Sequence, residues 1–128
     1  MGTQYLIDSN AVIDYLSGKL PSNSMTFMDG VVNAMPKVSV ITKIEVLGYN
    51  APQADYQLLT DFMDVSAILE LSESIVSQAI ELRKQHKIKL PDAIIAATAL
   101  VQGFELISRN SGDFKNITGL TVIDPYSV

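Results

Sequence analysis

Gln4-Tyr5-Leu6-Ile7 is a short apolar run of strand-forming residues that ends at Asp8. From Asn10 to Ser17 the apolar positions change to helical spacing through Val12, Ile13 and Leu16, and Gly18 marks a stop. A second helix is expected from a cap at Ser22 or Ser24 to about Asn33, with Pro36 closing it before the strand Lys37-Val38-Ser39-Val40. Thr42 then opens a helix that ends near Gly48. Tyr56, Leu59, Phe62 and Met63 define one helical face across Gln53–Asp64, and Ala67–Leu71 reads as a third strand. Ser72 caps the next helix, whose apolar positions are Ile75, Val76, Ala79, Ile80 and Leu82. Pro91 sits where a first helical residue belongs, and the helix through Val101 is apolar on nearly every face, which predicts burial. Glu105–Ser108 and Thr121–Ile123 complete five strands. Strands separated by helices require parallel pairing with right-handed crossovers, so the expected fold is α/β with helices on both faces of the sheet and the functional crevice beyond the strands' carboxyl ends.

Composition narrows the class. With 128 residues, 48% hydrophobic and 18% charged, the chain has material for one core, and residues 1–128 are expected to form one domain. No apolar run is long enough to cross a membrane. The absence of cysteine excludes disulfides, thiolate metal sites and a cysteine nucleophile, and the lone His86 excludes a two-histidine zinc site. With no signal-peptide pattern at the start, a reducing, cytoplasmic setting is expected. The net charge of -5 argues against broad duplex binding, but it leaves nucleic acid open if carboxylates hold cations where phosphate arrives.

Those carboxylates are present. Asp8 follows the first strand, Glu45 lies in the helix after the second, Asp92 opens the buried helix, and Asp113 lies just beyond the fourth strand. Each has an ordinary local explanation: Asp8 as a helix cap, Thr42 with Glu45 as a capping box, Asp92 as a dipole partner, Asp113 as a turn residue. The topology nevertheless brings all four to one sheet edge, where close pairs repel by roughly 2 to 4 kcal/mol at an effective dielectric near 20. A hard divalent cation offsets that repulsion. Mg²⁺ or Mn²⁺ accepts one or two carboxylates plus water and substrate phosphate, and can activate water for attack on a phosphodiester.

The segments Leu6-Ile7-Asp8-Ser9-Asn10, Ile41-Thr42-Lys43-Ile44-Glu45-Val46, Leu90-Pro91-Asp92-Ala93-Ile94-Ile95-Ala96-Ala97-Thr98-Ala99 and Ser108-Arg109-Asn110-x-x-Asp113-Phe114 resemble the PIN-domain ribonucleases, in particular VapC-type toxins of toxin–antitoxin pairs. The resemblance implies a three-layer α/β/α fold with a parallel sheet of four or five strands. It also implies a Mg²⁺- or Mn²⁺-dependent endoribonuclease, commonly a homodimer, whose VapB-type antitoxin inserts into the active-site groove. Asp8, Glu45, Asp92 and Asp113 match the family's catalytic and metal-binding acids. Asn10 and Ser108 match its supporting polar positions, with Asn110 nearby and Ser108 standing where Thr is commoner.

Two features stay open at this level. The basic stretch Arg83, Lys84, Lys87, Lys89 runs into the Asp92 turn and could guide RNA or an acidic partner, or be an ordinary solvated helix end. Arg109 could contact phosphate or pair with an acid, and Asp14 is expected to be a solvated or partner-facing charge. A phosphoacceptor module is disfavoured, because the third strand is followed by Leu71-Ser72 rather than an aspartate. A non-catalytic PIN-like binding or dimerisation module is the remaining alternative, which an intact acidic quartet opposes.

Overall fold

The computed structural model describes residues 2–128. Its elements are β1 (Tyr5–Ile7), α1 (Ser9–Leu16), α2 (Ser22–Asn33), β2 (Lys37–Ser39), α3 (Val40–Leu47), α4 (Gln53–Val65), β3 (Ala67–Leu69), α5 (Glu73–Gln85), α6 (Leu90–Gln102), β4 (Glu105–Ile107) and β5 (Val122–Ile123). Two 3-10 turns, Ser111–Asp113 and Pro125–Ser127, flank β5.

All ladders are parallel. β4 lies between β1 and β5, and β2 pairs with β3. β1 and β2 run side by side without a ladder, so the strands lie in the spatial order β3-β2-β1-β4-β5. Register places Leu6 opposite Leu106 and Ile7 opposite Ile107. Successive strand residues point to opposite faces. Leu6 and Leu106 accordingly pack with Ile75, Leu82, Ile95 and Phe114 under α5 and α6, while Ile7 and Ile107 pack with Val12, Met28, Val46 and Phe62 under α1 to α4. The result is the expected three-layer α/β/α arrangement. α6 owes its burial to Ala93, Ala96, Ala97 and Ala99, which let it lie close to the sheet. It stops at Gly103, whose positive φ of 74° lets the Phe104 N–H reach the Ala99 carbonyl at 2.9 Å.

Local details differ from the sequence reading. The second helix is preceded by Pro21 rather than capped by Ser22 or Ser24, and the Ser24 hydroxyl is buried without a partner. Helix α3 begins at Val40, capped by Ser39, whose Oγ accepts from the Ile41 N–H at 3.1 Å. Thr42 is therefore inside the helix with its hydroxyl buried and unpaired, and the Thr42–Glu45 capping box does not form. β3 ends at Leu69, two residues early. On α4 the expected apolar face is buried at Leu59, Phe62 and Met63 but leaves Tyr56 exposed, and on α5 Val76 and Ile80 stay on the surface. Among the described residues no helix is long and apolar enough to cross a membrane.

Candidate active site

β1 delivers Asp8 to the carboxyl edge of the sheet, where the Asp8 N–H donates to the Ile107 carbonyl at 2.9 Å and extends the β1–β4 pairing by one residue. Asp8 is also the N-cap of α1, and the Ser9 N–H donates to its Oδ1 at 2.8 Å. Ser108, the residue after β4, donates from Oγ to Asp8 Oδ2 at 2.8 Å and accepts from the Asn110 N–H at 3.1 Å. Asn10 Nδ2 makes a longer contact with Oδ2 at 3.4 Å, while its Oδ1 accepts from the Arg109 N–H at 2.9 Å. These bonds fix both the carboxylate and the loop leaving β4. The supporting positions Asn10 and Ser108 thus touch Asp8, as their places in the motifs suggest, and Asn110 acts through Ser108.

Glu45 is exposed on α3 and tethered by Ser9, whose hydroxyl donates to Glu45 Oε1 at 2.5 Å. Ser9 is a participant that sequence reading passed over. Its only signal was its place inside D-x-N. Asp92 is half-buried in the first turn of α6, and Asp113 is exposed in the 3-10 turn after β4.

Electrostatics joins the four acids. Burial raises the Asp8 carboxyl above its ordinary value, with the nearby Glu45 charge adding to the rise and the Ser108 and Ser9 hydrogen bonds opposing it. Asp92 is pushed up to about 6 by burial first and then by the charges of Asp8, Asp113 and Glu45, with Lys89 pulling the other way. Asp92 therefore senses every other member of the quartet. Among the described residues, no three carboxylate or imidazole groups converge closely enough to cage an ion by themselves. The donors are all oxygen, spread along an open wall. That arrangement suits Mg²⁺ or Mn²⁺, which keeps waters and takes only one or two protein carboxylates, and it does not suit zinc.

Asp14 departs from expectation. It is not a solvated charge: it is 2% exposed, accepting from Arg109 Nη1 at 2.9 Å and from the Tyr126 hydroxyl at 3.0 Å. Arg109 pairs with this buried acid rather than with a member of the quartet, and Tyr126, from the C-terminal turn, completes the cluster. Because the Arg109 backbone also holds Asn10, the cluster anchors the β4 exit loop from below. Arg109→Met should destabilise the fold by about 1 to 3 kcal/mol, since it leaves a buried charge short of a donor, and Tyr126→Phe by about 1 kcal/mol. Urea denaturation of the two variants measures both losses, and an Arg109→Met midpoint equal to that of the parent would refute the anchoring role.

The basic stretch is not one face. Arg83 donates to the Ile88 carbonyl at 2.8 Å, and Lys84 pairs with Glu81 at 3.6 Å. Both line an apolar groove with Leu71, Val76, Ile80 and Leu90. Lys87 and Lys89 instead border a cavity that includes Asp92 and Asp113. The stretch therefore divides: helix α5 carries the first two side chains to one groove, and the connection to α6 turns the others toward the acids.

The geometry and the relatives agree. The PIN domain family profile matches residues 5–120, and the chain belongs to this family. A toxin–antitoxin complex from Klebsiella pneumoniae contains a chain 32% identical, with 98% of this chain and 100% of that one covered and a TM-score of 0.76. DNA-bound VapBC from Salmonella typhimurium (20% identical, coverage 97% and 99%, TM-score 0.80) and FitAcB from Neisseria gonorrhoeae (20%, 98% and 100%, 0.78) share the fold. The PIN-domain resemblance read from the sequence motifs is thus borne out, and a solved VapBC complex shares the fold. No curated protein sequence matches the chain significantly.

Proposed function

We propose that the protein is a Mg²⁺- or Mn²⁺-dependent endoribonuclease and the toxin of a pair with a VapB-type antitoxin. The observation that carries this reading is the placement of four carboxylates, drawn from four separate segments, along one open edge of a parallel sheet, where the charges of the other three bear on Asp92. Membership of the PIN family and likeness to the Klebsiella pneumoniae complex support it. Homodimerisation belongs to the same reading and is supported by the exposed apolar side chains Leu71, Val76, Ile80 and Leu90 around the α5 groove.

Asp8 and Asp92 would hold the metal directly, with Asp113 and Glu45 completing the acidic wall. When bound, the cation supplies Lewis-acid neutralisation of the phosphodiester and lowers the pKa of a bound water. The chain's own residues do the rest. Ser9, Ser108 and Asn10 hold the Asp8 carboxylate in one orientation, so no rotamer search precedes attack. Asp92 retains a proton to about pH 6 in the metal-free state and must release it for the cation to bind. Glu45, oriented by the Ser9 hydroxyl yet exposed, is placed to accept a proton from water.

The direct test is cleavage of single-stranded RNA by the purified protein in Mg²⁺ or Mn²⁺, abolished by chelator and by Asp92→Asn in a folded variant. RNA cleavage undiminished by chelator would overturn the metal dependence. Glu45→Gln should lower kcat by roughly ten- to a hundredfold while changing metal affinity less than Asp8→Asn does. Metal titration followed by single-turnover kinetics separates the two, and a larger affinity loss for Glu45→Gln would reverse the assigned roles.

A further inference from the structure

Asp92 lines two cavities at once. One, of about 360 Å³, is bordered by Asp8, Glu45, Lys19, Arg109 and Asn110. The other, of about 390 Å³, lies between the α5–α6 connection and the 3-10 turn after β4, and is bordered by His86, Lys87, Lys89, Asp113, Asn116 and the partly or fully buried Ile88 and Ile117. Both are of ligand size. The first holds Asp8 and Glu45 and the second holds Asp113, so the acidic edge runs through both cavities and Asp92 belongs to each.

The composition of the second cavity nevertheless matches a nucleotide. Lys87 and Lys89 present cations, and no hydrogen bond or ion pair within the described residues engages either ammonium. Ile88 and Ile117 give an apolar floor against which a base can lie. The Asn116 amide offers a donor pair and an acceptor, the set needed to read a base edge. The wall is also braced: the Arg83 guanidinium holds the Ile88 carbonyl at 2.8 Å, fixing the connection that carries both lysines, and Phe114 and Ile117 anchor the opposite side in the core. Asp92 lines both cavities, so a phosphodiester seated at Asp92 has the second cavity directly beside it for the neighbouring nucleotide.

We propose that the cavity bordered by Lys87, Lys89 and Asn116 is a nucleotide subsite, seating the residue of a single-stranded RNA adjacent to the cleaved phosphodiester and selecting its base. This rests on the ribonuclease reading above. Lys87 and Lys89 hold the flanking phosphate, and Asn116 sets base preference.

The test uses the whole protein with Mn²⁺ and the four homopolymers oligo(A), oligo(C), oligo(G) and oligo(U) as probes, comparing Lys87→Gln, Lys89→Gln and Asn116→Ala with Lys115→Gln, an exposed charge on the same loop outside the cavity. Each cavity lysine variant should raise KM with little change in kcat, and flatten the salt dependence of binding by up to about 0.7 log units per log salt. Asn116→Ala should compress the preference among the homopolymers by roughly tenfold at nearly constant salt slope. Lys115→Gln should do neither. If the parent cleaves and the cavity variants behave like Lys115→Gln, the subsite is refuted while the ribonuclease reading stands. If the parent cleaves no RNA in either metal, the ribonuclease reading fails and the subsite with it. Thermal melts of the variants guard against unfolding as the cause.

Discussion

Asp8→Asn is expected to reduce metal-dependent RNA cleavage by roughly a hundredfold or more and to leave the fold in place. The substitution removes the charge at the centre of the site while keeping its two short hydrogen bonds. Asn keeps an oxygen for the Ser9 N–H, now at 2.8 Å from Oδ1, so the α1 cap survives. The other atom becomes a donor, and the Ser108 hydroxyl, which now donates to Oδ2, can rotate to accept from it while still accepting from the Asn110 N–H. Only the longer Asn10 Nδ2 contact turns repulsive, as two donors face each other. Circular dichroism and a thermal melt establish the fold, and cleavage in Mn²⁺ measures the chemistry. A folded Asp8→Asn protein with full activity would exclude Asp8 as a metal ligand.

The second large effect is on stability against pH. In the metal-free protein the folded-state Asp92 carboxyl keeps its proton up to about 6, against an ordinary value of 3.8. Between those pH values the folded state binds more protons than the unfolded chain, so stability falls as pH rises from about 4 through about 6 and then levels off. Two units fully transmitted would be worth about 3 kcal/mol, and solvent screening at a half-exposed side chain reduces this to about 1 to 2 kcal/mol. Asp92→Asn removes the penalty. In chelator it should therefore melt about 4 to 8 °C above the parent at pH 7 and lose that advantage near pH 4. Mn²⁺ reverses the order at pH 7, because the cation binds the deprotonated site of the parent and stabilises it by mass action. Melting curves of the two proteins across this range, with chelator and with Mn²⁺, check the sign. A variant no more stable than the parent at pH 7 in chelator would show that Asp92 is not held against its neighbours' charge.

The two effects have one origin. Protein–protein hydrogen bonds satisfy Asp8, whereas Asp92 has burial and three like charges around it with only Lys89 in opposition. The metal-free edge is thus organised around Asp8 and strained around Asp92. A cation relieves the strain at the residue where the two cavities meet.

Much of this arrangement follows from short-range pattern. Strand-then-acid at Ile7-Asp8, Pro91 followed by Asp92 at the start of an apolar helix, and the alternation of Leu6 with Ile7 are local signals, and the structure realises each of them. The edge at which Asp8, Asp92 and Asp113 gather follows from parallel topology alone. What local pattern left undecided is which groups meet. Ser39 and Thr42 both satisfy a capping rule, and only the end of β2 at Ser39 selects between them. Asp14 looked solvated because the groups that bury it, Arg109 and Tyr126, are 95 and 112 residues away. The basic stretch read as one patch because periodicity does not show where α5 ends and the connection reverses. These choices belong to tertiary structure for a physical reason: a helix or strand is specified by neighbours within a turn or two, whereas a buried charge or a site hydrogen bond depends on a partner brought in by the register of β1 against β4, strands 100 residues apart in the chain.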